Sequence, residues 1–163
     1  MSESDFDHQD PPEKLQELLT AAGYIHQRVS SGGRTIIFNG QFRDWVLFAH
    51  LNDSWLHVQT TMCAFPAEPG LRAELLLWMA RAGRDLSLLK YTVDKEDRVI
   101  LEAQVRAERL EAEDVSNLVG FLQNTAERDY LAILRLARGE ARLEALSAAF
   151  QRDALPGEGS ATG

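Results

Sequence analysis

Apolar residues recur along the chain in two rhythms, one near 3.6 residues and one of 2, and the switches between them mark out the elements. Leu15, Leu18, Leu19 and Ala22 share one helical stripe that starts at Pro11, with Asp10 placed to cap it and Gly23 to stop it in a left-handed conformation. Residues 24–29 predict a short strand, SSGG a turn, and RTIIFNGQF a strand entering a tight turn at Asn39-Gly40. FRDWVLFAHLNDSWLHVQTTMC, residues 42–63, reads as two further strands around a turn at Asn52-Asp53. Pro66 and Pro69 close the sheet segment, and Pro69 opens a helix over PGLRAELLLWMARAG. A hairpin follows, SLLKYTVD and RVILEAQVRA about a turn at DKED, in which Leu89, Tyr91 and Val93 alternate on one strand and Val99, Leu101, Ala103 and Val105 on the other. Helical spacing returns in Val115, Leu118, Val119, Leu122, Ala126, Tyr130, Ile133 and Ala137, up to a break at Gly139. Leu143, Leu146 and Phe150 then mark a shorter, additional helix over 140–153. The whole predicts an α+β fold: an antiparallel sheet made of a meander plus a hairpin, packed with helices, in one domain over 10–139. Residues 1–9 are acidic and predict a disordered N-terminus, and 154–163 a flexible tail.

Two stretches are more apolar than their element requires. A sheet covered on one side should read greasy in and polar out. In residues 42–63 one face carries Trp45, Leu47, Leu51, Leu56, Val58 and Met62, yet the other carries Val46, Phe48 and Trp55 among His50, His57 and Cys63. That second face has three candidate uses: a metal, a substrate or a protein partner. The helix at 69–83 has a main stripe of Leu71, Leu75, Trp78, Met79 and Ala82. Leu76, Leu77 and Ala80 widen it beyond the apolar arc of about 100° that a surface helix needs, so burial on two sides is expected.

Candidate chemistry narrows the choice. Symmetric pairing about Asn52-Asp53 sets His50 opposite Trp55 and Phe48 opposite His57, which makes the two histidines diagonal neighbours. With Cys63 they supply the elements of a zinc site. However, Cys63 stands six residues from His57, about 20 Å along a strand, so one metal cannot take all three. No metal and no cofactor are therefore expected, and amphipathic strand histidines with polar edges toward water are the simpler reading. The chain lacks GxSxG, HExxH, GxxxxGK[ST] and GxGxxG, and no catalytic residue is proposed. Asp94, Glu96 and Asp97 lack the spacing of a calcium loop and read as a solvated turn. Glu108, Glu111, Glu113 and Asp114 precede the long helix, where negative charge favours an N-terminus.

The 163 residues carry a net charge of −8, with 14 Arg and 3 Lys. That balance argues against direct nucleic-acid binding and against anionic membranes, and it favours a basic protein partner. The start has neither a basic nor an apolar signal region, and no run of about 18 apolar residues exists. A single cysteine excludes an internal disulfide. A cytoplasmic protein is expected. The remaining use for the second face is a protein interface through Val46, Phe48, His50, Trp55 and His57, unless the 140–153 helix folds back over it. Leu76, Leu77 and Ala80 are the expected homodimer contact. The competing reading is a small-ligand or metal-binding regulatory domain that uses His50 and His57.

The order helix, three-strand meander, helix, hairpin, long helix resembles the type III secretion chaperone-like fold. Leu75 to Ala82, the strand end from Tyr91 to Asp94, the turn at Asp97, Leu110, and Tyr130-Leu131 ahead of Gly139 are similar to the YbjN branch of that fold. The resemblance covers roughly 11–139. It implies a small, acidic, cytoplasmic homodimer without enzymatic activity that binds another protein in a chaperone-like or regulatory role. The net charge of −8, not the resemblance, makes a basic or nucleic-acid-binding protein the expected partner.

Overall fold

The computed structural model describes residues 11–29, 34–39 and 45–146. The acidic 1–9 segment, the Asp10 cap, the SSGG and Asn39-Gly40 turns, the side chain of Trp45, Phe150 with the rest of the helix expected to 153, and the 154–163 tail lie outside the described residues. Helix α1 (Pro11–Ala21) is followed by strands β1 (Ile25–Arg28), β2 (Arg34–Asn39), β3 (Trp45–Leu51) and β4 (Trp55–Ala64). Helix α2 (Pro69–Gly83), strands β5 (Leu89–Val93) and β6 (Arg98–Arg106), and helix α3 (Ala112–Ala137) complete the order. All six strands join one antiparallel sheet in the order β1-β2-β3-β4-β6-β5. The meander thus has the four strands that the residue pattern predicts, one more than the element order of the resemblance counts. The later hairpin enters the sheet with β6 against β4, leaving β5 at the edge.

Local sequence explains the ends of the elements. Pro69 occupies the first turn of α2, where its missing N–H costs nothing. Gly23 (φ +80°) and Gly139 (φ +69°) follow α1 and α3 in the left-handed region. A Cβ at Gly139 would also come within 3.3 Å of Leu71. Glu111 and Asp114 form a reciprocal capping box on α3, the Asp114 carboxylate accepting from the Glu111 N–H at 3.0 Å. The acidic cluster therefore has a structural role. In the β5–β6 turn Asp94 accepts from the N–H groups of Glu96 and Arg98, and Asp97 takes φ 54°. Arg98 pairs with both Asp94 and Glu96, so these carboxylates serve the turn.

One sheet face carries the core. Leu47, Leu51, Leu56, Val58, Val99 and Leu101 pack there against Leu15 and Leu19 of α1, Leu75, Trp78 and Met79 of α2, and Leu118, Leu122 and Ile133 of α3. Asp129, inside the α3 stripe, is buried as well. Its carboxylate accepts from the Tyr91 hydroxyl at 2.6 Å and from Arg128 through two nitrogens at 2.7 Å. Such a group is tolerated in a core only when its hydrogen bonds are made. Burial, and after it the hydrogen bond to Asp129, push the Tyr91 phenol far above its ordinary range. Beyond Gly139 the chain continues into a helical turn at 143–146. Leu143 joins the core, and its N–H donates to Glu74 of α2, which also pairs with Arg142.

Candidate functional site

The three helices pack on one face, so the other face of the sheet is the first place to look for function. Strand alternation puts Val46, Phe48 and His50 of β3 there, with Trp55, His57, Gln59 and Thr61 of β4. Cys63, expected on this face, is turned by a bulge between Thr61 and Cys63 to pair with Val99, and packs against the core instead. Val46 is 41% exposed and Trp55 36%, whereas Phe48, His50 and His57 are half-buried. Among the described residues no helix covers this face. The turn at 143–146 lies beside Glu74 of α2, on the helical side.

The register differs from the symmetric pairing expected about Asn52-Asp53. His50 stands directly opposite His57, Phe48 opposite Gln59, and Leu51 opposite Leu56. The Asn52 side chain is the cause. Its Oδ1 accepts from the N–H groups of Ser54 (2.9 Å) and Trp55 (2.8 Å), and the turn centres one residue later, on Asp53-Ser54. The faces survive the change as far as Thr61, because each residue up to the bulge keeps its parity along the strand. The contacts do not: the histidines are immediate cross-strand neighbours.

Strand β6 adds the polar part of the face. Nε2 of His57 lies 2.6 Å from Oε2 of Glu102, and Lys90 of β5 pairs with the other Glu102 oxygen at 3.2 Å. Burial alone would raise the Glu102 carboxyl, but hydrogen bonds from His57 and Lys90 outweigh it and hold the group below its usual range. The Arg106 guanidinium lies over the Trp55 ring at 5.4 Å from its centre. Phe48, His50, His57 and Gln59 surround a shallow depression of about 100 Å³. The Nδ1 atom of His50 is buried without a hydrogen-bond partner among the described residues. The sequence pattern placed the β3 and β4 residues together but missed Glu102, Lys90 and Arg106. The signal for Glu102 and Arg106 was the charged alternate positions of RVILEAQVRA, and for Lys90 the lysine of SLLKYTVD, legible only once β6 is known to lie beside β4.

No set of three or more His, Cys, Asp or Glu side chains converges to hold a metal among the described residues. Burial pushes the Cys63 thiol up to about 11, away from the thiolate that a metal requires. The expected dimer residues lie elsewhere, on the outer side of α2. Leu76 and Leu77 are each 47% exposed and Ala80 is exposed, while Leu75, Trp78 and Met79 face the core. Among the described residues of the single chain α2 is therefore buried on one side only, not on two.

No helix among the described residues is long and apolar enough to cross a membrane. No curated protein matches the sequence. Solved structures do match the fold. The ExsC–ExsE complex gives a TM-score of 0.56 at 16% identity, covering 77% of this chain and 97% of that one. YbjN from E. coli gives 0.53 at 13% identity, covering 86% and 94%. The Yersinia pestis type III secretion chaperone SycH, solved with a fragment of YscM2, gives 0.51 at 14% identity, covering 72% and 97%. At these identities the likeness shows the fold, which is that of the type III secretion chaperones and YbjN. The sequence itself goes further, for the family profile described as "Putative bacterial sensory transduction regulator" matches residues 11–135, and the chain belongs to the YbjN family.

Proposed function

We propose that the chain is a non-enzymatic protein-binding module of the cytoplasm, homodimeric, acting as a chaperone or regulator on a basic protein partner. The observation that supports it best is the sheet face that no helix among the described residues covers, where Val46 and Trp55 are exposed beside Phe48. Soluble chains rarely leave such a patch without a use, and aromatic anchors flanked by polar groups are what protein interfaces favour. Trp55 and Phe48 supply the apolar contact, Val46 extends it, and His50 and His57 are the polar handles. Leu76, Leu77 and Ala80 of α2 form the contact between two copies. Two fold neighbours, SycH and the ExsC–ExsE pair, were solved as protein complexes, which makes a protein the first partner to seek.

The test is capture from the source cell with the full chain as bait, read by mass spectrometry and compared with Trp55→Ala and Phe48→Ala. Both variants should keep their circular dichroism and their dimer while losing the captured protein, since few residues carry most of an interface's binding energy. Normal capture by both would move the partner site off this face. Unfolding of both would make the face part of the core.

A further inference from the structure

A second apolar site lies on the helical side of the sheet, and of the sheet-face residues above only Arg106 also lines it. The residues just ahead of β5, the end of β6 with the loop after it, and the first half of α3 line a groove of about 600 Å³. Val105, Leu110 and Leu118 form its floor, and Leu88 and Phe121 stand at its mouth, 54% and 41% exposed. That volume falls within the range of ligand pockets, roughly 300–1,000 Å³, and exceeds what a single side chain fills. The rim is charged. Glu108 and Asp114 line it, and Glu111 and Glu113 are exposed next to it, against Arg106 and Arg109. Asp114 and Glu113 sit in the first turn of α3, where the helix dipole takes up part of their charge. Glu108 lies ahead of the helix, and its contact with Arg106 is a loose 3.6 Å between two exposed side chains.

We propose that this groove docks an amphipathic segment of a protein partner, bulky apolar side chains entering between Leu88 and Phe121 and lysine or arginine side chains meeting the carboxylate rim. Four carboxylates against two guanidinium groups decide the sign of the partner's charge. The proposal rests on the reading of the chain as a protein-binding module but uses a surface other than the sheet face, so the two can fail separately.

The probe is a short labelled peptide with leucine and phenylalanine on one helical face and lysine on the other, titrated with the full chain and followed by fluorescence anisotropy. Phe121→Ser and Leu88→Ser should each weaken binding at least about tenfold, the loss expected for one buried apolar anchor. Glu108→Lys should weaken it several-fold, and Phe48→Ala should leave it unchanged. Replacing the peptide's lysines by glutamates should abolish it. Should either serine variant lose its circular dichroism, Glu108→Lys carries the test alone, because that side chain is exposed and outside the core. Undiminished binding by Phe121→Ser and Leu88→Ser, or by Glu108→Lys, overturns the proposal. So does equal binding of the glutamate peptide. Loss in Phe48→Ala alone would place the peptide on the sheet face, and dissociation of the dimer by Phe121→Ser would make the groove a contact between copies.

Discussion

Glu102 sits between two bases, and that placement limits what His57 can do. Its carboxylate holds Nε2 of His57 on one side and the Lys90 ammonium on the other. A metal at His57 would need the remaining ring nitrogen, with His50 opposite as the second ligand and no third side chain converging among the described residues. Structural zinc takes four ligands, so a two-histidine site is open and weak. Elemental analysis of the purified chain should therefore find no stoichiometric zinc or iron. One equivalent that disappears in His50→Ala or His57→Ala would restore the metal-binding reading. Cys63 allows a separate check. With its thiol pushed up to about 11 by burial, little thiolate exists near neutrality. Alkylation by iodoacetamide at pH 8 should run on the order of a hundredfold slower than for a free cysteine, whose pKa is about 8.5. The rate should keep climbing as pH rises toward 11 rather than levelling near 9, and denaturant should remove the difference. A plateau near pH 9 in the folded chain would mean an exposed, ordinary thiol.

At the scale of elements, α2 joins two surfaces that a single substitution can separate. Leu75 is fully buried against the sheet, whereas Leu76 and Leu77, its next neighbours, point outward. Leu75→Ala should cost about 2–5 kcal/mol in urea unfolding, as buried leucine truncations do. Leu76→Glu and Leu77→Glu should change the free energy of the isolated fold by no more than about 0.5 kcal/mol, because they touch no core contact. Light scattering on the same two variants should report a monomer where the parent gives a dimer, since each puts a charge into a desolvated contact. A parent that is already monomeric at micromolar concentration ends the dimer reading. The bounds of α2 were legible because Pro69 and Gly83 are local signals, and so, as far as Thr61, was the doubled face of β3 and β4, which needs only parity. The bulge that turns Cys63 inward was not. The hairpin register was not: it turns on the Asn52 side chain taking two backbone N–H groups. Nor were the polar partners of the site. Glu102 is 45 residues from His57, and Asp129 is 38 from Tyr91, and nothing local says that β6 lies beside β4 or that a carboxylate belongs in the α3 stripe. The groove at Phe121 and Leu88 was missed for the same reason, as its walls come from three elements.

For the whole molecule, the charge of −8 sets the two proposed associations against each other. Two copies of an acidic chain repel at long range, so the proposed dimer would have to be held by apolar contact at α2, which salt does not screen. A basic partner is attracted by the same field, and that attraction extends over a Debye length, about 8–10 Å at physiological ionic strength, and shrinks as salt is added. Raising the salt should therefore move the two equilibria in opposite directions. Self-association should hold or tighten, because the repulsion is screened, while partner capture should weaken, chiefly through a slower association rate. The measurement is one titration series at rising sodium chloride, with light scattering for the dimer and surface-bound chain for the captured protein. A dimer that dissociates as salt rises would mean that ion pairs, not Leu76 and Leu77, join the copies. Capture that is indifferent to salt would mean an uncharged partner held by Trp55 and Phe48 alone, and the basic character assigned to it would be wrong.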